Sequence, residues 1–415
     1  NKLNNNYGEA EFVAREIRHL RNEEGYDYKD IAILYRTNAQ SRSLEEKLVM
    51  SSIPYKIIGG VNFYARKEIK DILAYLKTID NGKDDLACKR IINVPKRGIG
   101  QATIEKIDEI SLMTDASFFD SLKMAGDHPS TKKLAKKLDS FVKIIQTYRT
   151  KLEFMKLSDL TNELLGEIGY IKELEAEDTV EAKGRLENID EFLNKIINFE
   201  ETAEDTRLTS FLQEVALVAD IDNLDEDANT VSLMTLHSAK GLEFPVVFLT
   251  GLEDGVFPSY MAMNSDDPSD LEEERRLCYV GITRAREVLY ITSARERMTH
   301  GQIVYNRTSR FVEELPIHLI NDLSNQRQTS NSMEDFLGHS TNNFPSTKGS
   351  SSFGSKSNVK AKPEIKLETY SQRKAAGTTI DYTVGDRVKH IKFGEGEVLE
   401  IHPKDGDYEV KLDFL

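Results

Sequence analysis

"VSLMTLHSAKGLEFPVVFLTGL", residues Val231–Leu252, contains two strand patterns separated by a polar loop. The runs "VSLMTL" and "PVVFL" are short and apolar, which is typical of strands buried on both faces of a sheet. His237 and Lys240 follow the first run directly, so they lie in the loop at its end. Ligands of open α/β sheets bind at strand ends, which makes this loop a candidate site. On spacing alone, an ordinary surface loop is an equally good interpretation.

The flanking sequence predicts an α/β domain that is interrupted. "DIAILYRTNAQSRSLEEKLVMSSIPYKIIGG" has the strand, helix, strand rhythm of a parallel sheet, and "VLYITSA" adds a later strand. Between these parts, apolar residues recur at helical spacing in stretches such as "RKEIKDILAYLKTI". We therefore expect one sheet domain over residues 1–58 and 226–320, with an all-helical insertion over residues 59–225.

The last part of the chain has a different composition. Residues 321–380 are rich in Ser, Thr, Asn and Lys, which predicts a flexible linker. Residues 381–415 alternate apolar and polar side chains around glycine-rich turns, which predicts a small β-barrel or a curled antiparallel sheet. The sequence stops abruptly within this pattern, and the barrel is expected to be incomplete.

The composition excludes several classes of protein. Among 415 residues, 30% are charged and 39% are hydrophobic, and no apolar run approaches the roughly 18 residues of a membrane span. Two cysteines far apart cannot form a disulfide or metal framework, which indicates a reducing, cytoplasmic setting. The net charge of −15 argues against a sequence-independent DNA coat. A local nucleic-acid groove remains compatible with it.

Motifs that bind triphosphates are missing from the sequence. The phosphate loop G-x-x-x-x-G-K-[ST] occurs nowhere. "NIDEF", Asn188–Phe192, resembles an acidic metal-binding motif of nucleotide hydrolases, but a polar segment precedes it where a buried strand is required. We interpret it as a solvated helix face, and we predict no metal ligands in the chain.

"DLEEERRLCYVGITRAREVLYIT" predicts a helix that leads into a strand. Leu277, Val280 and Arg284 share one helical face, so the arginine ends an apolar stripe just before the strand. An arginine at such an edge can reach the phosphate of a ligand on a neighbouring domain. The alternative is a salt bridge, for example to Glu287, and geometry alone favours this alternative slightly.

"NVPKRGIGQATIEKI" is a second candidate site. Gly98, Ile99 and Gly100 lie between the basic pair Lys96 and Arg97 and a helical stripe, as in a helix-hairpin-helix. Glycines in such a loop let backbone N–H groups approach a DNA phosphate at a helix N-terminus, without base readout. An ordinary turn with two glycines is the alternative.

Together, "ILYRTNAQSR", "LHSAKGLEF" and "GITRAR" resemble, in order and spacing, the late motifs of superfamily 1 DNA helicases of the UvrD/PcrA/Rep type. The similarity extends from about Glu9 to Leu315. The early motifs of that family are not found: the phosphate loop, the acidic metal motif and the arginine motif that opens the second lobe. The chain thus resembles the C-terminal half of such a motor.

This resemblance implies a fold and an activity. The fold would be a RecA-like second motor lobe, with the helical insertion as its duplex-gripping domain and a terminal Tudor-like module that docks RNA polymerase. The whole protein would be a cytoplasmic, ATP-dependent 3′-to-5′ DNA helicase, and a missing N-terminal lobe would bind most of the ATP and Mg²⁺. Single-stranded and duplex DNA would be its partners, with no membrane. The alternative is a non-catalytic module that binds DNA and docks RNA polymerase.

The resemblance also assigns roles to single residues. Arg284 would reach the γ-phosphate of ATP, and Glu243 would contact the ribose. Contacts with the backbone of single-stranded DNA are implied for these residues: Arg36, Asn38, Thr235, His237 and Lys240. Contacts with duplex DNA are implied for the glycine loop: Lys96, Arg97, Gly98, Ile99 and Gly100.

Overall fold

The computed structural model of the chain describes residues 2–126, 131–132, 135–219 and 229–323, and the backbone of strands at residues 387–390, 394–404 and 407–414. The chain divides into two units, residues 1–339 and residues 340–415. Among the described residues, no helix combines the length and the apolar character needed to cross a membrane.

A parallel sheet lies at the centre of the first unit. The strands of this unit are β1 (Lys2–Asn5), β2 (Ile31–Tyr35), β3 (Tyr55–Ile57), β4 (Val231–Thr235), β5 (Phe244–Leu249), β6 (Ala285–Ile291), β7 (Ser293–Thr299) and β8 (Gln302–Tyr305). One sheet has the order β3-β4-β2-β5-β6, and all its neighbouring pairs are parallel. The other has the order β1-β7-β8, with β1 parallel and β8 antiparallel to β7. The predicted α/β class with a parallel sheet is therefore confirmed.

Helices surround the sheet and also fill the long segment between β3 and β4. The helices are α1 (Asn6–His19), α2 (Ser41–Met50), α3 (Lys67–Asp80), α4 (Asp85–Ile91), α5 (Gln101–Thr114), α6 (Phe118–Met124), α7 (Ala135–Lys151), α8 (Leu157–Glu167), α9 (Tyr170–Glu177), α10 (Val180–Thr202), α11 (Leu208–Ala219), α12 (Tyr260–Met263), α13 (Pro268–Ile282) and α14 (Arg310–Glu313). Helices α3 to α11 share a hydrophobic core of their own. The helical character of this segment agrees with its sequence pattern, whereas the boundaries of separate domains at residues 1–58, 59–225 and 226–320 stay a prediction.

Strand β2 shows why the sheet is covered on both sides. All of its residues are buried, and successive side chains in a strand point to opposite faces. Ile31 and Ile33 belong to one hydrophobic cluster, which also contains residues of α1 and α2. Ala32 and Leu34 belong to another cluster, which contains Cys278 of α13. A fully apolar strand at this position is the pattern that parallel sheets require.

The stretch "NIDEF" lies within α10, and the prediction of a solvated face is wrong. Asn188 is 4% exposed, and Ile189 and Phe192 are also buried. The reason is that α10 contacts neighbours on several sides, including α3, α8, α9 and β7. Asn194, for example, donates to the Met298 carbonyl of β7 at 3.1 Å. A polar sequence therefore does not mean a solvated face here.

A buried polar network connects α10 to α2, and we call it the α10 junction. The Arg42 side chain is 0% exposed, and its Nη1 and Nη2 atoms lie 2.9 Å from Glu46 and 2.7 Å from Glu191. Its Nε atom donates to Glu191 at 2.9 Å. The Lys195 ammonium lies 3.3 Å from Glu46 and 2.6 Å from Glu214. Because buried charges are tolerated only when they are paired, this network fixes α10 against α2.

The second unit contains strands β9 (Arg387–His390), β10 (Gly394–Lys404) and β11 (Asp407–Phe414). They form an antiparallel sheet in the order β11-β10-β9. Antiparallel strands agree with the alternating sequence pattern, whereas the Tudor-like barrel over residues 381–415 stays a prediction. The linker predicted for residues 321–380 lies outside the described residues after residue 323.

Candidate functional site

The predicted site residues Arg36 and His237 follow the carboxyl ends of β2 and β4, whereas Glu243 and Arg284 precede β5 and β6 at the opposite, amino edge of the sheet. Tyr35 of β2 and Thr235 of β4 are register partners, and the Leu236 N–H donates to the Tyr35 carbonyl at 2.9 Å. The loops that begin at Arg36 and at Leu236 therefore start side by side. Parallel strands place all such loops at one edge, where ligands of α/β sheets bind.

The loop after β2 is shaped by Gln40, a residue that the sequence did not point to. The Gln40 side-chain oxygen accepts hydrogen bonds from the backbone N–H groups of Arg36 and Thr37, both at 2.9 Å. Asn38 begins the short 3₁₀ turn Asn38–Gln40 and is exposed. Its carbonyl accepts from the Ser41 hydroxyl at 2.9 Å. This loop thus has a fixed backbone and an exposed tip.

The Arg36 side chain forms an ion pair with Glu274 of α13, a contact that was not predicted. The Arg36 Nε atom lies 3.0 Å and 3.2 Å from the two carboxylate oxygens, and Nη2 lies 2.7 Å from the first of them. The Arg36 side chain is 24% exposed and that of Glu274 is 7% exposed. One edge of the guanidinium is therefore occupied by a buried carboxylate.

The loop after β4 contains Thr235, His237 and Lys240. The Thr235 hydroxyl accepts from the Ser238 N–H at 3.3 Å and lies 3.0 Å from the Ser238 hydroxyl, so it shapes the turn. His237 and Lys240 are exposed. Desolvation and the nearby Arg36 charge lower the pKa of His237, while Glu274 and Glu273 act in the opposite direction. The structure thus brings His237 and Arg36 together, as expected for two residues of one site.

Arg284 follows α13, and the structure corrects its expected surroundings. Its Nε donates to the Val280 carbonyl and its Nη1 to the Leu242 carbonyl, both at 2.9 Å, and Nη2 donates to the Thr283 hydroxyl at 3.0 Å. The arginine thus connects the end of α13 to the loop before β5, and the Val280 carbonyl also accepts from the Thr283 hydroxyl at 3.0 Å. The alternative salt bridge to Glu287 is not formed, because Glu287 accepts from the Tyr26 hydroxyl at 2.9 Å.

Glu243 lies beside Arg284 at the start of β5. The Phe244 N–H donates to the Arg284 carbonyl at 2.9 Å, and the Leu242 carbonyl accepts from the Arg284 side chain. The Glu243 carboxylate is exposed and pairs with Arg286 at 3.1 Å. The two residues predicted to face a nucleotide are therefore neighbours, and they place one carboxylate and one guanidinium at the amino edge of the sheet.

Helix α13 runs between the two edges of the sheet, from the carboxyl edge, where Glu274 contacts Arg36, to the amino edge, where Arg284 follows the helix. Its buried residues are Glu274, Cys278 and Gly281, rather than the predicted face with Leu277 and Val280, which are only half-buried. A Cβ atom at Gly281 would lie 2.6 Å from a methyl group of Leu236, so only glycine allows this close packing. Glu274 and Arg284 are ten positions apart, which is about 15 Å at the helical rise.

The glycine loop lies in the helical segment, and the Arg97 side chain forms hydrogen bonds inside it. The Arg97 Nη1 atom donates to the carbonyls of Ile91 and Val94, both at 3.0 Å, and Nη2 donates to the Tyr75 hydroxyl at 2.6 Å. Its guanidinium also lies 5.5 Å from the centre of the Phe141 ring. Arg97 therefore closes the loop from inside, through its Nη1 and Nη2 atoms.

The other loop residues have the expected backbone arrangement. Gly98 has a φ of 69°, in the left-handed region that favours glycine. Ile99 is 2% exposed and anchors the loop in the helical core. Gly100 precedes α5, and Lys96 is exposed. Helix α5 therefore begins at the loop surface, where its first N–H groups have no partner within the helix.

Glu187 of α10 is a further residue that the sequence did not indicate. Its carboxylate accepts a hydrogen bond from the Thr37 side chain, and desolvation raises the pKa of Glu187. Through this contact, α10 touches the same loop that carries Arg36. No sequence signal links residues so far apart, since the contact joins the helical segment to the sheet.

The residues Glu243 and Arg284 fit a nucleotide only in part. Glu243 and Arg284 could contact the ribose and a phosphate, whereas a glycine-rich phosphate cradle is not in the sequence. Across the described part of the chain, no group of three or more His, Cys, Asp or Glu side chains could hold a metal ion. The residues present therefore fit one side of a nucleotide site.

Comparison with known proteins identifies close relatives. A family described as "UvrD-like helicase C-terminal domain" matches residues 1–296. The "ATP-dependent DNA helicase PcrA" of Staphylococcus aureus (strain Mu50 / ATCC 700699) is 44% identical over 414 residues, which cover 98% of this chain and 52% of that protein. The protein of the same name from Staphylococcus epidermidis (strain ATCC 12228 / FDA PCI 1200) is 42% identical over 409 residues, covering 98% and 52%. The chain thus spans about half the length of these relatives.

Proposed function

Because the chain belongs to the UvrD-like helicase C-terminal domain family, we propose that it is the C-terminal half of an ATP-dependent DNA helicase. The helicase would move from 3′ to 5′ on single-stranded DNA and unwind duplexes during repair and replication, in the bacterial cytoplasm and at the nucleoid. One observation supports this proposal most. Arg36 and His237 lie together at the carboxyl edge of the sheet, Glu243 and Arg284 lie together at its amino edge, and α13 extends from one pair to the other.

The nucleotide would bind at the side of Glu243 and Arg284. ATP, bound with Mg²⁺ mainly by an N-terminal lobe, would supply the free energy of its hydrolysis. Arg284 is suited to a phosphate because its current acceptors are neutral carbonyl and hydroxyl oxygens. Charged acceptors form stronger hydrogen bonds than neutral ones, so a phosphate can replace them without leaving a carboxylate unpaired. Glu243 is exposed and could accept from ribose hydroxyls.

Single-stranded DNA would pass the loops that follow β2 and β4. Arg36 and Lys240 offer positive charge, Asn38 and Thr235 offer hydrogen-bonding groups, and His237 is neutral at pH 7 because its pKa is lowered. Backbone contacts of this kind position a strand without reading its sequence. This suits a motor that must move over any sequence.

Duplex DNA would contact the glycine loop of the helical segment. We assign this contact to Lys96 and to the backbone N–H groups of Gly98 and Gly100, where α5 begins, whereas the buried Ile99, whose N–H donates to the Asn93 side chain at 3.2 Å, would anchor the loop. Arg97 would act from inside the loop by holding its shape. A role of the second unit in docking RNA polymerase rests on resemblance alone. A pull-down with residues 340–415 deleted would test it.

The decisive experiment changes Arg284 in the complete helicase. Arg284→Ala should lower DNA-stimulated ATP hydrolysis by roughly 10³-fold or more, because a phosphate-contacting arginine stabilises charge on the transferring group. Its affinity for single-stranded DNA should not change. Arg276→Ala is the matched control, since Arg276 lies on α13, the helix that Arg284 follows, and pairs locally with Glu273. Near-normal hydrolysis by Arg284→Ala would refute this role.

A second assay tests whether ATP hydrolysis requires both lobes. The chain alone should hydrolyse no ATP, with or without DNA, and addition of an N-terminal lobe should restore hydrolysis. DNA-stimulated hydrolysis by the chain alone would contradict the proposed site. Restoration by the lobe would exclude the alternative of a purely non-catalytic DNA-binding module.

A further inference from the structure

Glu274 differs from the two glutamates that precede it on α13. Glu272 and Glu273 pair with Arg275 and Arg276, each three residues further along the same helix. The side chains of the Glu273–Arg276 pair are 73% and 74% exposed. Glu274 instead pairs with Arg36, which is 238 positions away in the sequence. A local surface pair and a long-range contact therefore lie next to each other on one helix.

The burial of Glu274 needs an explanation. Its side chain is 7% exposed, and a carboxylate loses favourable hydration when it is buried. The loss is compensated only if the carboxylate is paired and accepts hydrogen bonds. Arg36 provides three such contacts, at 2.7, 3.0 and 3.2 Å. Glu274 therefore accepts the hydrogen bonds that orient the Arg36 side chain. The backbone N–H of Arg36 is held independently, because it donates to the Gln40 side chain.

The geometry leaves one part of the guanidinium available. Glu274 occupies the edge formed by Nε and Nη2. Among the described residues, none accepts a hydrogen bond from Nη1, and the Arg36 side chain is 24% exposed. A phosphate that displaced Glu274 would leave a buried carboxylate without a partner, which is strongly unfavourable. A phosphate that binds at the Nη1 side keeps the ion pair intact.

We propose that Glu274 is a positioning residue for single-stranded DNA: it holds Arg36 by the Nε and Nη2 edge and so directs the Nη1 side to a backbone phosphate. This inference rests on the proposed DNA-binding role of Arg36. It adds to that role a residue on α13, the helix that ends next to Arg284. An arginine whose planar group is already oriented loses less freedom when it binds a phosphate.

The test compares two neighbouring glutamates. Glu274→Gln keeps the shape of the side chain and removes its charge, and Glu273→Gln removes the same charge one position earlier. The second variant therefore controls for the general effect of net charge on DNA affinity. We expect Glu274→Gln to bind a labelled oligothymidine about 5- to 10-fold more weakly than Glu273→Gln at one fixed salt concentration, by fluorescence anisotropy. In an Arg36→Gln background this difference should disappear.

A spectroscopic measurement separates positioning from general stability. Nitrogen-15 NMR of arginine side chains should show the Arg36 Nε–H signal protected from solvent exchange in the unchanged chain and in Glu273→Gln. In Glu274→Gln the signal should approach that of a solvent-exposed arginine. An unchanged Arg36 signal in Glu274→Gln would overturn the proposal, whatever the thermal stability of the variant.

A double variant covers the case in which Glu274→Gln folds poorly. Arg36→Gln with Glu274→Gln removes both charges, so no buried charge is left unpaired, and its DNA affinity should equal that of Arg36→Gln alone. A further loss in the double variant would mean that Glu274 acts by another route. Equal affinities of Glu274→Gln and Glu273→Gln would refute positioning and leave the proposed function intact. Full affinity of Arg36→Gln would instead refute the DNA role of Arg36.

Discussion

Two arginine–glutamate clusters contain the same types of side chain but differ in how many arginine donors are used. One is the α10 junction, and the other is the Arg36–Glu274 pair at the carboxyl edge of the sheet, which we call the sheet edge. At the α10 junction, Nε, Nη1 and Nη2 of Arg42 all have acceptors, and its side chain is 0% exposed. At the sheet edge, Arg36 has acceptors on one side only and is 24% exposed. The difference shows that the unused donors, rather than the ion pair itself, distinguish a candidate site from a structural contact.

Electrostatics support the same distinction. Burial acts to raise the pKa of Glu46 at the α10 junction, but the charges of Arg42 and Lys195 outweigh it, so the pKa of Glu46 is lowered. The carboxylate therefore stays ionised above pH 4.5, and its contribution to stability is lost as the pH falls through its folded-state pKa. At the sheet edge, desolvation and Arg36 lower the pKa of His237, so this group loses its charge more readily. The junction keeps its charges, whereas the edge contains a histidine whose charged form is disfavoured.

The largest effect is expected at the α10 junction. Arg42→Ala leaves Glu46 and Glu191 without their guanidinium and should destabilise the chain by about 3–5 kcal/mol, as for other broken buried ion pairs. Urea denaturation followed by circular dichroism measures the change. Arg207→Ala is the control, because its pair with Asp205 is exposed and should contribute little to stability. A loss below about 1 kcal/mol for Arg42→Ala would remove the distinction between the two clusters.

Arg97 extends the comparison, since we expect it to stabilise the fold, as Arg42 does, rather than to contact DNA, as we propose for Arg36. Arg97→Ala removes hydrogen bonds to carbonyls and to Tyr75 and should cost about 2–3 kcal/mol of unfolding free energy. Lys96→Ala, one position earlier and exposed, should stay within about 0.5 kcal/mol but weaken duplex binding. Denaturation and duplex anisotropy on both variants test this. If Arg97→Ala instead weakened duplex binding without a loss of stability, Arg97 would be a DNA-contacting arginine like Arg36.

The smallest effect concerns the titration of His237. Proton NMR should give it a pKa below the usual 6.5, and Arg36→Ala should raise that pKa because one of its causes is removed. Since the folded-state pKa is lowered, the unfolded chain binds the proton more readily, and stability falls as the pH drops below 6.5. His237→Gln should flatten this dependence. A measured pKa of 6.5 or higher would contradict the proximity of Arg36.

The sequence predicted the parts of the fold that depend on local patterns. Strands such as β2 and β4 are continuous apolar runs, and the helices have regular apolar spacing, so both could be recognised without tertiary information. The interpretation of "NIDEF" failed because the burial of Asn188 depends on neighbours from distant parts of the chain. Amphipathic patterns reveal apolar contacts, but they do not reveal polar contacts between elements.

The sequence predicted which residues form the candidate site, but not which residues they contact. The sequence singled out Arg36, His237, Glu243 and Arg284. In the structure, Arg36 and His237 follow the carboxyl ends of β2 and β4, whereas Glu243 and Arg284 precede β5 and β6 at the opposite edge. Their partners could not be predicted, because Glu274 pairs across 238 positions and the acceptors of Arg284 are mainly backbone carbonyls. Backbone acceptors leave no trace in residue types. Glu274 carried one usable signal, its place on the same helical face as Cys278 and Gly281.

The strand order of the sheet has a consequence for synthesis on the ribosome. β4 lies between β3 and β2, although about 170 residues separate β3 from β4 in the chain. At about 5–20 residues per second, β2 and β3 wait roughly 10–35 s for the strand that joins them. During this time helices α3 to α11 can bury their own core, but the apolar strand β2 has no neighbour to pair with. During synthesis, the chain therefore passes through a period in which an apolar strand is open to non-native pairing.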